Sequence, residues 1–233
     1  MKKVAIFVDW ENLRHDIKTL KVSASDFNYS NAKHIMKLLM SFLDKDEELY
    51  RIFFYTARPK SWTEIENYFT NLIKKLENNP HKKENIEKIQ NYLNFGEEKH
   101  KKYASNIENF LKSMEVQPYV AMRYGSLKLK GLKNNGVPDE NQKQVDMLIG
   151  LDVAQISFSK LADKIMLFSR DSDMKPVLKL ARTNGLTAIV PHLNYPDKRL
   201  HIDTSLKIHS DLIRKRDFKD IIADLKKTSS VIL

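Results

Sequence analysis

The sequence predicts an α/β protein with a mostly parallel sheet covered by helices on both faces. Apolar runs of strand length alternate with segments in which apolar residues recur at helical spacing, a pattern typical of parallel sheets. The first run, residues 4–8, is continuously apolar, as expected of a strand buried on both sides. With 233 residues and 42% hydrophobic content, the chain is long enough to bury a substantial core.

The individual elements follow from residue spacing. Strands are predicted where β-branched and aromatic residues cluster, and helices where an apolar stripe recurs every three to four residues. The predicted strands are 4–8, 49–55, 116–124, 165–168 and 186–190. The predicted helices are 32–43, three stretches between 61 and 114, then 144–156, 176–183 and 217–227.

The organisation of the chain is predicted from its breaks. The lysine-rich block 61–114 is interpreted as a helical insertion whose helices are separated at 79–80 and 95–96. Glycines and a proline then predict a long loop over 125–136. We expect a single domain over residues 1–233, with the insertion at about 61–114 and a helical tail at about 203–233.

The composition of the chain limits the kinds of partner and of cellular compartment that we expect. A formal net charge of +10 and a pI near 9.5 favour a polyanionic partner such as nucleic acid. The absence of cysteine excludes disulfides, thiol nucleophiles and thiolate zinc sites, and fits a reducing compartment. Asp9 and Glu11 interrupt the apolar start before it reaches signal-peptide length, and no apolar stretch approaches a membrane span. We therefore expect a cytoplasmic protein with no membrane partner.

Acidic residues follow the predicted strands at informative places. Asp9 ends the first strand, Asp171 and Asp173 follow the strand 165–168, and Asp146 lies at the start of the preceding helix. Because ligands bind at the carboxyl ends of strands in open α/β sheets, these carboxylates are expected to converge. Clustered carboxylates repel one another unless protons or cations neutralise them, and Mg²⁺ or Mn²⁺ prefers oxygen ligands. The sequence therefore predicts a Mg²⁺ (or Mn²⁺) site formed by these four aspartates.

The neighbours of these acids have structural interpretations as well. Asn12 is either the cap of the helix that follows the first strand or a residue that holds Asp9 or a metal-bound water. Asp171 or Asp173 is a candidate helix cap, because Pro176 follows at a first-turn position. Ser172 is either a cap or a hydrogen-bond donor to a metal ligand or phosphate.

Two further residues form a second tier around Asp146. Asp152 follows it by six residues, so it points about 120° away around the helix and lies about 9 Å along it. The two acids therefore cannot both ligate the same ion directly. Asp146 is the predicted ligand, and Asp152 is a candidate for orienting Lys143 or metal-bound water. Asp146 is also favoured in a first helical turn by the helix dipole alone.

Basic residues in and beside the predicted loop form a candidate substrate-binding group. A flexible cationic segment can follow a single strand by charge. The group consists of Arg123, Lys128, Lys130 and Lys133. In contrast, Lys99, Lys101 and Lys102 are interpreted as a solvated helical face.

Three motifs, occurring in order between residues 4 and about 190, together resemble the NYN domain family, a PIN-like nuclease group, and most closely its LabA-like branch. The motifs are Asp9-Trp10-Glu11-Asn12-Leu13 after the first strand, Lys143-Gln144-Val145-Asp146 with Asp152 further on, and Ser169-Arg170-Asp171-Ser172-Asp173 followed by Pro176. The resemblance implies a Rossmann-like, PIN-like α/β/α sandwich in which the first strand neighbours the strand before Asp171. It also implies Mg²⁺-dependent phosphodiester cleavage, usually of RNA, with 5′-phosphate and 3′-hydroxyl products.

The chain departs from the family pattern at three positions. Arg170 and Gln144 stand where relatives usually have glycine, and Met174 stands where an aromatic residue is common. Arg170 places a bulky cation beside the acids. We expect it either to bind a substrate phosphate or to alter the activity.

The residues and the resemblance favour a metal-dependent endonuclease acting on RNA, with Asp9, Asn12, Asp146, Asp171 and Asp173 as its catalytic residues. The alternative is a nucleic-acid-binding or partner-binding module with the same fold and little turnover, since Arg170 could form an internal ion pair in place of a metal. The sequence does not decide whether the protein also binds a second copy of itself or another protein.

Overall fold

The computed structural model describes residues 1–77, 83–195 and 200–229. In it, the strands form one sheet and the helices flank that sheet. The strands in this part of the chain are β1 (Lys2–Asp9), β2 (Glu47–Ala57), β3 (Val120–Leu132), β4 (Pro138–Lys143), β5 (Lys164–Phe168), β6 (Thr187–Asn194) and β7 (Leu212–Asp217). The helices are α1 (Trp10–Thr19), α2 (Ala32–Met40), α3 (Trp62–Leu76), α4 (Lys83–Phe95), α5 (Glu97–Glu115), α6 (Val145–Phe158), α7 (Lys175–Thr183), α8 (Thr204–His209) and α9 (Phe218–Ser229).

The sheet has the order β4-β3-β2-β1-β5-β6-β7. β1 pairs in parallel with both β2 and β5, and β6 and β7 continue the parallel arrangement, whereas β3 and β4 pair antiparallel. The sheet is therefore mostly parallel with helices on both sides, which confirms the predicted α/β sandwich. The apolar run 4–8 is fully buried, as predicted for a central strand.

The strand order reverses direction at β1. From β1 the chain adds β2 on one side, and it later returns to place β5 on the other side. Right-handed crossovers then put the helices that follow β1 and those that flank β5 on opposite faces. The carboxyl ends of β1 and β5, where the order reverses, are the usual ligand position in open α/β sheets.

The chain divides into two compact units. Unit 1 consists of Met1–Thr56, Ser113–Tyr124 and Gln144–Leu233, and unit 2 consists of Ala57–Lys112 and Gly125–Lys143. In unit 1, helices α6 and α7 pack on the strands β1, β5 and β6. In unit 2, a smaller apolar cluster joins α3, α4 and β3. The interpretation of block 61–114 as an insertion in a single domain stays a prediction.

The loop predicted over 125–136 is wrong, because this segment is part of a β-hairpin. Leu127 and Leu129 alternate with polar residues at the period of a strand, and β3 and β4 pair across the hairpin. Gly131, with φ +136°, lies at a register shift in β3, and Gly136, with φ +75°, lies in the turn. The glycines therefore mark a bulge and a tight turn.

Strand β7 lies inside the segment 203–233 that was predicted as a helical tail. Its sequence, Leu212–Asp217, is mostly charged, so it lacks the apolar run by which the other strands were recognised. Arg214 is nevertheless buried in this strand, because its charge is matched by Glu47. The break predicted at 79–80 and residues 230–233 of the tail lie outside the described residues.

Helix α6 is apolar around most of its circumference. Leu151 is 59% exposed, and Met147 and Phe158 are also more than half exposed. Val145, Ile149 and other residues on the opposite side fill the core. Neither α6 nor any other helix in the described parts of the chain has both the length and the apolar content needed to span a membrane.

A buried ion-pair cluster joins three strands at the amino-terminal edge of the sheet. The carboxylate of Glu47 on β2 accepts hydrogen bonds from Arg214 on β7, at 2.6 and 2.9 Å, and from Lys164 on β5, at 2.7 Å. Burial raises the pKa of Glu47, but hydrogen bonds from Arg214, from the Asp44 amide and from Lys164 outweigh it and lower the pKa to about 2. Glu47 is therefore ionised at neutral pH.

Replacing Glu47 by Gln is expected to lower the free energy of unfolding by about 3 kcal/mol, because it removes the buried charge partner of Arg214 and leaves the exposed carboxylate of Asp44 to balance the guanidinium. The wild-type protein should lose this stabilisation as the pH falls from about 4.5 towards about 2, since the pKa of Glu47 is lowered in the folded state. Urea unfolding at several pH values measures both effects. The exposed neighbour Glu48 provides the control: equal losses in Glu47→Gln and Glu48→Gln would contradict this account.

Candidate active site

The candidate active site lies in unit 1, at the carboxyl ends of β1 and β5. Val8 and Phe168 are register partners in the parallel pair of these strands. Asp9 follows Val8, and Ser169 follows Phe168, so their side chains emerge at the same edge of the sheet. The prediction that the first strand neighbours the strand before Asp171 is confirmed.

Asp9 is a buried carboxylate, only 4% exposed, held by neutral donors. It caps α1: its Oδ1 accepts a hydrogen bond from the backbone amide of Asn12 at 3.3 Å. Its Oδ2 accepts from the Asn12 side-chain amide at 2.5 Å and from the Ser169 hydroxyl at 3.4 Å. Of the two interpretations of Asn12, the structure therefore supports the one in which Asn12 holds Asp9.

The pKa of Asp9 is raised to about 6. Burial is the largest cause, and the negative charge of Asp146 raises it further, whereas the hydrogen bonds from Asn12 and Ser169 act in the opposite direction. Asp146 lies in the first turn of α6 and is exposed. The structure thus brings two of the four predicted metal ligands into electrostatic contact.

The backbone that leads into Asp146 is strained. Gln144, the residue before α6, has φ +75° and ψ −9°, in the left-handed region. This conformation costs an L-residue with a side chain about 1–2 kcal/mol, whereas glycine adopts it freely. Glycine at this position in relatives, as the resemblance implies, therefore has a local structural reason, and this chain retains the strain beside Asp146.

Arg170 forms an internal ion pair. Its guanidinium contacts the carboxylate of Asp16 on α1 and donates a hydrogen bond to the His201 carbonyl at 3.3 Å. Burial raises the pKa of Asp16, Arg170 counteracts this effect, and the charge of Asp9 adds to it. Arg170 therefore forms an internal ion pair, as the binding-module alternative requires, but its partner is Asp16 and not one of the four predicted metal ligands.

Asp171 and Asp173 lie on a short 3₁₀ turn, Ser172–Met174. Asp171 caps this turn, because its Oδ1 accepts from the Asp173 amide at 2.9 Å. The helix that contains Pro176, α7, has Met174 at its N-cap position and no side-chain cap, so none of Asp171, Ser172 and Asp173 caps it. The Asp171 amide donates to the Ser169 hydroxyl at 3.2 Å, and that hydroxyl donates to Asp9. Asp171 is thus linked to Asp9 through Ser169, whereas the side chain of Asp173 is exposed.

Asp152 has a different set of partners from those expected. Its Oδ2 accepts hydrogen bonds from the Tyr55 hydroxyl at 2.7 Å and from Arg123 Nε at 2.8 Å. The guanidinium of Arg123 also lies 5.2 Å from the centre of the Phe53 ring. Arg123, predicted to bind substrate, therefore has its charge matched inside unit 1, and Asp152 orients Arg123.

The remaining predicted substrate-binding residues lie on the hairpin of unit 2. Lys128 and Lys130 are exposed on β3, and Lys133, in the turn, lies 4.0 Å from Asp139. Lys143, a second-tier candidate, is exposed at the end of β4.

The fit of a divalent metal depends on how many acids come together. Within residues 1–77, 83–195 and 200–229, no group of three or more histidine, aspartate or glutamate side chains is arranged to hold a metal ion. Mg²⁺ commonly uses one or two carboxylates and retains several waters. The buried carboxylate of Asp9 and the exposed carboxylate of Asp146, which repel each other, fit that requirement, and the complete four-aspartate set stays a prediction.

Sequence reasoning did not identify Asp16 and Ser169 as site residues. A signal for Asp16 was present: Asn12 and Asp16 are four residues apart on α1, so both lie on the helix face that begins at Asp9. Ser169 had no comparable signal, because its contact with Asp9 depends on the pairing of β1 with β5.

The fold and the acidic edge of its sheet define a nuclease-like α/β protein. The family model of the NYN domain matches residues 62–198, and the chain belongs to this family. The match includes Asp146, Asp171 and Asp173 but begins after β1 and Asp9, whereas the resemblance in the motifs starts at residue 4. No curated protein matches the chain. A crystal structure of a protein of unknown function from Vibrio parahaemolyticus is similar, with 13% identity, 94% of each chain covered and a TM-score of 0.46.

Replacing Gln144 by Gly is expected to raise the free energy of unfolding by about 1 kcal/mol, because glycine relieves the left-handed strain. Urea unfolding measures the change. The matched control is Gln155→Gly, which makes the same replacement at an exposed helical position and should destabilise by about 1 kcal/mol. Destabilisation by both variants would contradict the assignment of strain to Gln144.

Replacing Asp9 by Asn is expected to stabilise the metal-free protein above pH 6. The folded-state pKa of Asp9 is raised from 3.8 to about 6, so wild-type stability is lost as the pH rises through this interval. The gain for Asp9→Asn should be about 2–3 kcal/mol at pH 8 and should vanish near pH 4. Thermal unfolding in EDTA measures it. The exposed Asp173, replaced by Asn, is the control, and the same pH profile in both variants would exclude burial of Asp9 as the cause.

Proposed function

We propose that this protein is a metal-dependent endonuclease that hydrolyses phosphodiester bonds in RNA. One observation carries the proposal: in a chain of the NYN family, a buried carboxylate at the carboxyl end of β1 has a raised pKa and is repelled by a second carboxylate, Asp146. Stability alone does not favour such an arrangement, because a structural acid in this position would have a cationic partner. The net charge of +10 supports a polyanionic substrate.

The residues that would hold a Mg²⁺ or Mn²⁺ ion are Asp9 and Asp146, with Asp171 and Asp173 as further oxygen donors. A bound ion of this kind positions and activates a water molecule and neutralises charge on the leaving oxygen. Asn12 fixes the orientation of Asp9 by two hydrogen bonds, and Ser169 connects Asp9 with the Asp171 backbone. These neutral donors orient the carboxylates without cancelling their charge.

Arg170 has a defined role in this proposal. Asp16 and the His201 carbonyl anchor its guanidinium, so the cation is held in place before substrate binds. Because Asp16 balances the charge of Arg170, we propose that the guanidinium orients a substrate phosphate by hydrogen bonds and does not attract it by net charge.

Single-stranded RNA should be cut by the wild-type protein in Mg²⁺ and not in EDTA. Replacing Asp146 by Asn should lower the rate by about 100-fold or more, because it removes a group that supports charge stabilisation in the transition state. Gel analysis of an end-labelled RNA measures the rate. The exposed Asp220 on α9, replaced by Asn, is the matched control and should retain the wild-type rate. Equal cleavage by the wild type and Asp146→Asn with EDTA present would refute the metal mechanism.

The second candidate function is a nucleic-acid-binding module of the same fold with little turnover. The Arg170–Asp16 ion pair favours it, because a guanidinium already supplies positive charge near Asp9, as does the lack of a three-acid group in the described residues. Calorimetry separates the two functions. Mn²⁺ binding that is lost in Asp9→Asn or Asp171→Asn supports the nuclease, whereas RNA binding that is unchanged by metal and by these replacements supports the module.

A further inference from the structure

One face of the β3–β4 hairpin in unit 2 carries a row of exposed lysines. Along β3, Lys128 and Lys130 are exposed, while the intervening Leu129 is buried. Successive side chains of a strand point to opposite faces, so the two lysines lie on the face opposite to Leu129. Because β3 has a register shift between Leu129 and Gly131, Lys130 is the extra residue of this bulge.

The partner strand adds a third lysine to this face. Lys143 on β4 is the register partner of Ser126, and Asn141 is the register partner of Lys128. Residues that are diagonal across an antiparallel pair lie roughly 7–8 Å apart, so Lys143 lies within reach of Lys128. We define Lys128, Lys130 and Lys143 as the lysine face.

The lysines of the lysine face differ from other lysines of unit 2 in their ion pairs. In the described part of the chain, no ion pair involves its three lysines, whereas other lysines of unit 2 pair with acids, such as Lys101 with Glu97 at 2.6 Å and Lys60 with Glu64 at 2.6 Å. Like charges on neighbouring positions of a sheet destabilise it. An anionic ligand would remove that repulsion.

The opposite side of the hairpin is anchored to the helices of unit 2. Leu129 packs with Ile65, Phe69 and Ile89 in one buried cluster. This packing fixes the strand that carries Lys128 and Lys130, so their Cα positions are set by the fold. A fixed row of cations loses less conformational freedom on binding than a flexible loop would.

We propose that the lysine face binds the sugar-phosphate backbone of a single-stranded nucleic acid. Lysines two residues apart on a strand are about 7 Å apart, similar to the separation of successive phosphates in an extended single strand. A single row of cations follows one backbone, whereas a duplex presents two. This inference rests on the proposed function, because it names the surface that would hold the substrate of the nuclease.

A competing explanation of the lysines is protection of the sheet edge. β4 is the edge strand of the sheet, and lysines on such strands hinder unwanted pairing with other chains. That explanation accounts for Lys143 but not for Lys128 and Lys130, which lie on the inner strand β3. It also predicts that replacing the lysines changes aggregation and leaves nucleic-acid binding intact.

The test is the salt dependence of binding in EDTA, where no metal-dependent cleavage occurs. Fluorescence anisotropy of a labelled oligouridylate is measured between about 50 and 200 mM NaCl for the wild type and for the triple variant Lys128→Gln, Lys130→Gln, Lys143→Gln. Three lost phosphate contacts should reduce the slope of log K against log salt by about 2. At about 0.1 M salt, this corresponds to a loss of affinity of roughly 100-fold.

A matched triple variant controls for net charge. Lys99, Lys101 and Lys102 on α5 are exposed, and their replacement by Gln removes the same charge from the other lysine-rich surface of unit 2. It should leave the slope close to that of the wild type. Replacing the lysine face by three arginines should keep the slope, because the charges remain. Equal effects of the two Gln triples, or a loss that arginine does not restore, would overturn the proposal.

Further oligonucleotide probes identify whether the lysine face binds RNA, single-stranded DNA or a duplex. A loss of binding to oligouridylate, or to both oligouridylate and oligothymidylate, supports the proposal and separates RNA from DNA as the ligand. A loss confined to duplex probes overturns it. The result is independent of catalysis: a protein that never cuts RNA still shows the slope change if the lysine face binds it, and an active nuclease with an unchanged slope refutes only this inference.

Discussion

Burial of one carboxylate at the centre of the sheet is the constraint on which the candidate site depends. Asp9 ends the central strand β1, and it remains buried because Asn12 and Ser169 satisfy its oxygens with neutral hydrogen bonds. The contact with Ser169 requires β1 and β5 to be neighbours, and the contact with Asn12 requires α1 to begin at once. Strand order, helix start and site geometry are therefore determined together.

A buried carboxylate lies at each edge of the parallel sheet, and the pKa values of the two are shifted in opposite directions. At the amino-terminal edge, Arg214 and Lys164 neutralise Glu47, and its pKa falls to about 2 despite burial. At the carboxyl edge, neutral donors hold Asp9, Asp146 adds further negative charge, and its pKa rises to about 6. The first arrangement stabilises the fold, whereas the second retains negative charge for which a cationic ligand is the natural partner. This contrast separates Glu47, which stabilises the fold, from Asp9, which we propose as a functional acid.

Cations of this basic protein also fall into two groups. Arg123 and Arg170 were both candidates for substrate binding from the sequence, yet Asp152 holds the first and Asp16 holds the second. Lys128 and Lys130, in contrast, extend from a hairpin whose opposite face is anchored by packing. From the sequence, all four residues were predicted to bind substrate on the same grounds, namely their positive charge and their position in the chain. Only their partners in the fold separate them.

The sequence by itself determined the α/β class, the positions of most strands and helices, and the placement of acids at strand ends, because these follow from local apolar periodicity. It did not reveal β7, because that strand is mostly charged, or the β3–β4 hairpin, because the glycines of that segment were interpreted as loop signals. Tertiary structure alone decided that Ser169 contacts Asp9 and that Arg170 pairs with Asp16. Such contacts join residues distant in the chain, and they form only when non-local strand pairing brings their backbones together.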